Sequence, residues 1–160
     1  MLSVKIICVG KTKEKYYIDA FREYAKRLSA YCSFECTELP EYRLSDHPGE
    51  KEIAAALEKE ADAVTKVLPK NACVAAFCIE GRKLSSIQFA EVIRKCENSG
   101  KPKLCCLIGG SYGLAERLKQ QADLRISMSD MTFPHHLARV MVAEQIYRGF
   151  KINEGSAYHK

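Results

Sequence analysis

The sequence predicts an α/β fold with a mostly parallel sheet and helices on both faces. Short apolar runs alternate with amphipathic helical patterns along the whole chain, as in folds whose parallel strands are joined by helices. Several apolar runs, such as Lys103–Ile108, show no polar alternation, which is typical of strands buried on both sides. With 160 residues and neither repeat nor linker, the chain is expected to form one domain over residues 1–160.

The strands are predicted from apolar runs that end at turn residues. Gly10 closes the first run, Pro40 the second and the pair Glu80-Gly81 the third. The fourth run ends at a glycine turn and the fifth opens into a serine-rich loop. The five predicted strands, in order, are residues 2–9, 34–39, 72–79, 103–108 and 123–128.

The helices are predicted where apolar residues recur at steps of three and four. Ser85 can cap the third helix, and Pro134 suits the first turn of the last one. The predicted helices, in order, are residues 14–31, 50–67, 85–96, 115–121 and a final helix that begins at Pro134. The apolar positions of this final helix are expected to be Leu137, Val140, Met141 and Tyr147, with Glu144 among them.

Composition limits the compartment and the partners. The net charge of +5 and a pI of about 8.7 permit an RNA partner without proving one. No apolar run approaches a membrane span, and the opening run lacks the flanks of a signal peptide, so we expect a cytoplasmic protein without a membrane partner. The eight cysteines include no Cys-x-x-Cys. We therefore expect small buried hydrophobes rather than a thiol enzyme or a metal site at Cys32 and Cys36.

Two loops at the carboxyl ends of predicted strands form the candidate site, because ligands of open α/β sheets bind at these ends. One is the glycine turn Gly109-Gly110-Ser111-Tyr112-Gly113. It is not a dinucleotide fingerprint, since it lacks the Gly-x-Gly-x-x-Gly spacing and a following acidic partner for ribose. By itself it is as consistent with a structural turn as with a binding site.

The second loop, 127–136, combines serines with two methionines and a phenylalanine. If the loop were only the start of a helix, this would explain a capping residue and the proline. It would not explain the two methionines and the phenylalanine. Apolar side chains on a loop with free amides can cover a flat heteroaromatic ring while the backbone binds its edge. This composition favours a small-molecule site.

The final helix and the tail carry further candidates. Arg139 and Arg148 suit phosphate contacts, and the alternative is an ion pair with Glu144 or exposure to solvent. Glu144 interrupts an apolar face, so we expect it at an interface. The tail ends in Tyr158-His159-Lys160, which is either a frayed terminus or a stacking and phosphate-binding element.

These motifs together resemble the ribosomal RNA large-subunit methyltransferase H family over nearly the whole chain. The matching residues are Ile108-Gly109-Gly110-x-x-Gly113, Ser127-x-Ser129-x-x-Thr132-x-Pro134-His135-x-Leu137-x-Arg139, Glu144-Gln145-x-Tyr147-Arg148 and Tyr158-His159-Lys160. The resemblance implies a SPOUT-class enzyme with a carboxyl-terminal trefoil knot. It further implies methylation of N3 of a pseudouridine in a 23S rRNA hairpin loop, with S-adenosylmethionine as cofactor.

The resemblance also implies a homodimer whose last helices pack together, and it assigns the site residues. The cofactor is expected to be surrounded by Phe77, Gly109, Met128, Ser129, Asp130, Met131, Thr132 and Phe133. The RNA side is expected to be served, partly across the dimer, by His135, Arg139, Tyr158, His159 and Lys160. No metal is implied.

The chemistry requires removal of the N3 proton and a base aligned with the methyl donor. We expect His135, or water near it, to accept that proton, Arg139 or the tail to stabilise charge on the ring carbonyls, and Asp130 to offset the sulfonium charge. The weak basic excess suggests docking on folded RNA or the assembled ribosome. The alternatives are a non-catalytic ribosome-binding or RNA-binding module, and an enzyme that uses another nucleotide-like ligand.

Overall fold

The computed structural model describes all 160 residues and confirms the predicted α/β class. Five strands and five helices alternate strictly along the chain. In chain order they are β1 (Ser3–Val9), α1 (Lys15–Leu28), β2 (Ser33–Leu39), α2 (Glu50–Val67), β3 (Cys73–Lys83), α3 (Ser86–Glu97), β4 (Lys103–Ile108), α4 (Glu116–Gln121), β5 (Leu124–Ser127) and α5 (His135–Asn153). Most bounds differ from the expected ones by one to three residues, the usual uncertainty of helix and strand ends.

The strands form one sheet in the order β2-β1-β4-β3-β5, and all four neighbouring pairs are parallel. Parallel pairing places every strand's carboxyl end at the same edge of the sheet. The loops that follow β1, β3, β4 and β5 therefore lie along that edge. Here the glycine turn after β4 and the serine-rich loop after β5 come close to one another.

Helices cover both faces of the sheet, which buries the central strands completely. Alternate residues of β1 point to opposite faces: Ile6 joins the core beneath α1, α3 and α5, while Ile7 joins the core beneath α2 and α4. Cys105 and Cys106 of β4 divide in the same way and are fully buried. All eight cysteines are free, so those in β4 act as small hydrophobes in both cores.

The start of α3 confirms the predicted cap. The Ser85 hydroxyl accepts a hydrogen bond from the Gln88 amide at 3.1 Å, and the Gln88 side chain accepts one from the Ser85 amide at 2.8 Å. This reciprocal pair is a capping box, which satisfies two otherwise unpaired amides at the helix start.

Strand β3 is longer than predicted, because Gly81 is not a turn residue. After a register shift the strand continues, with Arg82 opposite Ile126 and Lys83 opposite Ser127 of β5. A Cβ atom on Gly81 would lie 2.7 Å from the backbone nitrogen of Ile126. Glycine is therefore required here for close approach of two backbones, and the expected strand end at residue 79 is wrong.

Helix α5 is apolar on two sides, and the apolar positions recognised from the sequence are not the ones in the core. The core positions are Val142, Ala143, Ile146 and Phe150. The expected positions, Leu137, Val140, Met141, Glu144 and Tyr147, are only partly buried. At 3.6 residues per turn, this second face lies roughly opposite the core face. Periodicity alone does not tell which of two apolar faces meets the sheet.

None of the five helices is both long enough and apolar enough to cross a membrane. No group of three or more His, Cys, Asp or Glu side chains is arranged to hold a metal ion.

Replacing Gly81 by Ala tests the crossing of β3 and β5. The added methyl group meets backbone rather than a movable side chain, so we expect a loss of about 1–3 kcal/mol in the free energy of unfolding, measured by chemical denaturation. Gly100→Ala is the matched control, since nothing lies within 4 Å of a Cβ there. Equal stability of the two variants would contradict the proposed close approach.

Candidate active site

A cleft of about 850 Å³ opens at the carboxyl edge of the sheet, a size usual for small-molecule sites. Three segments form it: the end of β3 from Phe77 to Glu80, the glycine turn after β4, and the loop between β5 and α5. The first turn of α5 closes one side with His135 and His136. The two loops singled out from the sequence therefore share one cavity.

The glycine turn is folded tightly against itself. A Cβ atom on Gly109 would lie 2.3 Å from the backbone of Gly113, and the Gly113 amide donates to the Gly110 carbonyl at 3.1 Å. Gly113 has a φ of +80°, a conformation that side chains disfavour. Outside the turn, Glu41 accepts a hydrogen bond from the Ser111 amide at 2.8 Å. The turn thus presents rigid main chain to the cleft.

The loop after β5 is held by its own serines and offers apolar side chains at the rim. The Ser127 hydroxyl donates to the Ser129 carbonyl at 3.1 Å, and the Met131 amide donates to the Ser129 hydroxyl at 3.0 Å. Met131 is 74% exposed, Ile79 52% and Tyr112 49%, and all three line the cleft. Large apolar side chains exposed around one cavity mark a surface for binding an apolar or aromatic ligand.

The structure brings most of the predicted cofactor residues together. Those that line the cleft are Phe77, Gly109, Met128, Ser129, Met131, Thr132 and Phe133. Asp130 does not: its side chain is exposed and pairs with Lys83 at the end of β3. Attraction to Lys83 directs the Asp130 carboxylate to the surface, and the role of Asp130 beside the cofactor sulfur stays a prediction.

Sequence reasoning missed the cleft residues Ile79, Glu80 and Lys119, and it gave no role to Tyr112 and His136 of the two loops. Lys119 of α4 forms an ion pair with Glu80, and this hydrogen bond lowers the pKa of the Glu80 carboxyl below its usual value. The pair links α4 to the end of β3. The sequence contains one signal that could have indicated Glu80 as a cleft residue, namely its position after an apolar strand, at the edge of the sheet where ligands bind.

The two histidines at the start of α5 form a hydrogen-bonded pair inside the cleft. Nε2 of His135 lies 2.9 Å from Nε2 of His136, and Nδ1 of His136 lies 3.2 Å from the Thr12 hydroxyl. Burial lowers the pKa of His135, and the neighbouring His136 and Arg139 lower it further. Burial and Arg139 also lower the pKa of His136. Burial and the nearby positive charge therefore favour the neutral form of both imidazoles.

Arg139 is only 2% exposed, so it is buried within the fold near the start of α5. Its guanidinium donates to the carbonyls of Val9 and Gly10, at 3.0 and 2.6 Å. It also donates to the Thr12 hydroxyl and to the Glu38 carboxylate, both at 2.7 Å. These four hydrogen bonds join the ends of β1 and β2 to α5, whereas Nε of Arg139 has no partner, and contact of Arg139 with RNA stays a prediction.

The tail folds back on α5, far from the cleft of its own chain. The Tyr158 ring packs edge-on against Tyr147 with centroids 5.0 Å apart, beneath the Arg148 guanidinium at 4.9 Å. Its hydroxyl donates to Glu144 at 3.2 Å. Twelve helical residues separate Tyr147 from His135, about 18 Å along the axis at 1.5 Å per residue.

His159 and Lys160 accompany Tyr158 at this distal end of α5. Nδ1 of His159 lies 3.2 Å from the Arg148 guanidinium, and Lys160 is exposed. Glu144 also pairs with Arg148 at 2.6 Å, so it has partners within its own chain. The structure therefore does not bring these three tail residues to the cleft that contains His135.

The fold and the cleft define an α/β protein with an open cleft at the carboxyl ends of its strands, walled by two main-chain loops. Residues 2–159 match the family model described as "Predicted SPOUT methyltransferase". The chain belongs to this SPOUT methyltransferase family, and it is a methyltransferase.

Full-length relatives named "Ribosomal RNA large subunit methyltransferase H" include proteins of Syntrophomonas wolfei and Clostridium beijerinckii. Each is 42% identical over 159 residues, which is 99% of this chain and all of the relative. A protein of the same name from Bacillus pumilus is 40% identical with the same coverage. Similarity over the whole length confirms the family resemblance found in the motifs.

Removal of the Arg139 guanidinium tests its structural role. Arg139→Ala leaves two buried carbonyls without donors, and we expect a loss of about 2–4 kcal/mol in the free energy of unfolding. Arg139→Lys retains the charge but not the fork of donors, so an intermediate loss is expected. Arg22→Ala, at an exposed position on α1, is the control and should differ from the parent by less than about 0.5 kcal/mol. Chemical denaturation measures all three, and a stable Arg139→Ala variant would contradict the assignment.

Proposed function

We propose that this methyltransferase transfers the methyl group of S-adenosylmethionine to N3 of a pseudouridine in a 23S rRNA hairpin loop of the assembled ribosome, in the cytoplasm. The observation that carries the proposal is the cleft: two main-chain loops and neutral His135 face the same cavity. The relatives' name supplies the substrate class. The target base and atom are taken from the family resemblance.

The cleft residues fit an S-adenosyl cofactor. The glycine turn leaves main chain free of side chains along one wall, where a flat base can approach closely. Met131, Ile79 and Tyr112 provide apolar surface around the opening. The residues that would hold the cofactor are Phe77, Gly109, Met128, Ser129, Met131, Thr132 and Phe133. The carboxyl-terminal trefoil knot belongs to the proposal and is supported by membership of the SPOUT family.

When bound, the cofactor supplies an activated methyl group on a positively charged sulfur. The protein therefore mainly has to hold the acceptor nitrogen in line and remove its proton. A uracil-type N3–H is a weak acid, so a neutral base beside it is required. His135 is the neutral base of this cleft, and it is our candidate for the proton acceptor.

The hydrogen-bond chain through the two histidines supports one assignment of their tautomers, in which Nδ1 of His136 carries its proton. The Thr12 hydroxyl has two lone pairs, so it accepts from Arg139 and can also accept from Nδ1 of His136. Nε2 of His136 then accepts from Nε2 of His135, and Nδ1 of His135 is left without a proton. In this state Nδ1 of His135 accepts the N3 proton. Thr12 and His136 position the ring rather than react.

We further propose a homodimer in which the tail of each chain serves its partner's cleft. The second apolar face of α5, with Leu137, Val140 and Met141, is not part of either core. Packing of this face against the same face of a second copy satisfies the symmetry of an isologous dimer. In an antiparallel arrangement the distal end of one α5, with its tail, lies near the start of the other.

The tail residues then complete the RNA side of the site. Tyr158 provides an aromatic ring for stacking on a base, and His159 and Lys160 provide donors for phosphate or ring carbonyls. Arg148 already holds Tyr158 and His159 in place. A site shared between two chains would account for the separation of about 18 Å along α5 between His135 and Tyr147, the residue on which the tail packs.

Calorimetry and mass spectrometry test the proposed function. Calorimetry should show heat on titration with S-adenosylmethionine or its demethylated product. Mass spectrometry of rRNA nucleosides should show loss of one methylated pseudouridine when the gene is deleted, and its return on complementation. Ribosome binding without cofactor heat would instead support the non-catalytic module, and unchanged rRNA modification would overturn the proposal.

His135→Ala tests the proton acceptor through the pH dependence of single-turnover methyl transfer. The pKa of His135 is lowered by burial, by His136 and by Arg139, and is raised to a smaller extent by Glu41 and Glu14. The neutral form is the active one, so the parent rate should be flat above about pH 6.5, the ordinary value for histidine, and should fall only below it. We expect His135→Ala to lower the rate about 10²–10⁴-fold and to remove the acid limb.

His47→Ala is the control for this measurement, because His47 lies in the exposed segment before α2. It should keep both the rate and the pH profile of the parent. An unchanged profile in His135→Ala would remove His135 from the role of base and direct attention to bound water.

Hybrid dimers test whether the tail crosses to the partner. Gly109→Ala damages the cofactor turn, and Tyr158→Ala damages the tail, so each variant alone should be inactive. When the two co-expressed chains pair at random, about half of the dimers contain one chain of each variant. Each of these hybrid dimers has one intact site and one site damaged in both parts. We therefore expect about a quarter of parental activity. Activity assays and analytical ultracentrifugation provide the measurement. An inactive hybrid preparation that is fully dimeric would show that the tail serves its own chain.

A further inference from the structure

The loop between β1 and α1 presents two unpaired cations beside the cleft. Lys11 and Lys13 are exposed, and neither ammonium lies within 4.0 Å of a carboxylate, whereas Lys15 pairs with Asp19. Two acids along the edge have other partners, since Glu38 is bound by Arg139 and Glu41 by the Ser111 amide. Glu14 follows Lys13 but forms no ion pair with either lysine. These two positive charges are therefore available to a ligand.

The loop that carries these lysines is held in place rather than mobile. The Thr12 amide donates to Glu38 at 2.8 Å, and the Thr12 hydroxyl accepts from Arg139 at 2.7 Å. The same hydroxyl lies 3.2 Å from His136, which lines the cleft. Lys11 and Lys13 flank Thr12 in the chain. The contacts of Thr12 therefore fix the position of both lysines relative to the cleft.

An exposed aromatic ring stands next to the lysines. Tyr16 at the start of α1 is 67% exposed, the most exposed aromatic side chain of the protein. It packs edge-on against Tyr17 with centroids 4.5 Å apart, and the Tyr17 ring lies 6.4 Å from the His136 ring. The aromatic side chains therefore lead from the wall of the cleft to the surface.

We propose that Lys11, Lys13 and Tyr16 form an RNA-docking surface on the same subunit as the cleft. The lysines bind phosphates of nucleotides next to the target base, and Tyr16 stacks on a neighbouring unpaired base. Cations beside an exposed aromatic ring suit single-stranded RNA, whose bases stack on aromatic side chains while its phosphates attract cations. This inference rests on the proposed function, to which it adds the contacts that orient the RNA.

A double variant, Lys11→Ala with Lys13→Ala, tests the phosphate contacts on ribosomes from cells lacking this gene. Removal of two phosphate contacts should lower the slope of log affinity against log salt by about 2. The KM for ribosomes should rise about tenfold at moderate salt, and the heat of cofactor binding should not change. Lys66→Ala with Lys70→Ala is the control of equal charge, at exposed positions near the end of α2. It should keep the parental KM and slope.

Tyr16 is tested by two substitutions that separate the ring from the hydroxyl. Tyr16→Ala removes the stacking surface and should raise the KM about fivefold or more, whereas Tyr16→Phe retains it and should stay within about twofold. A structural role of the exposed ring would lower thermal stability in Tyr16→Ala without this pattern in KM. Equal KM values for both variants would overturn the stacking role.

Ribosome co-sedimentation across a salt series distinguishes this inference from the proposed function, because it requires no methyl transfer. An inactive parent whose binding still depends on the lysines would refute the activity and retain the docking surface. An active parent with an unchanged KM and salt slope in the double variant would overturn the docking surface alone. Conversion of the double variant to monomers would place the lysines at the subunit interface and would overturn it as well.

Discussion

The site depends on one buried guanidinium. Arg139 is on α5, but its donors bind the carbonyls of Val9 and Gly10 at the end of β1 and the Glu38 carboxylate near the end of β2. A buried charge is tolerated only when it is paired and hydrogen-bonded. These contacts therefore specify how the start of α5 meets the carboxyl edge of the sheet, where the cleft opens.

Arg139 also links the sheet to the two histidines of the cleft. Arg139 donates to Thr12, Thr12 lies beside His136, and His136 is hydrogen-bonded to His135. The positive charge of Arg139 also contributes to the lowered pKa of both histidines. A buried group thus helps to set the orientation and protonation of the residues in the cleft.

Helix α5 positions different groups of side chains at its two ends. Its start contributes His135 to the cleft, while its distal end holds Tyr158 and His159 through Arg148. Helix length alone separates the two groups by about 18 Å, which one short tail packed on its own helix does not bridge. Under the proposed dimer, the half-exposed apolar face between the two ends brings the two functions together.

The sequence by itself determined the fold class, the order of strands and helices and the two loops of the cleft. These features follow from local periodicity and from the rule that parallel strands share a carboxyl edge. Only the tertiary structure decided that Gly81 lies within a strand, that Asp130 points away from the cleft and that α5 buries its other apolar face. It also decided the burial of Arg139, whose partner Glu38 is 101 residues away. Such choices depend on contacts between distant parts of the chain, and neither propensity nor spacing encodes which of several chemically suitable partners is nearby.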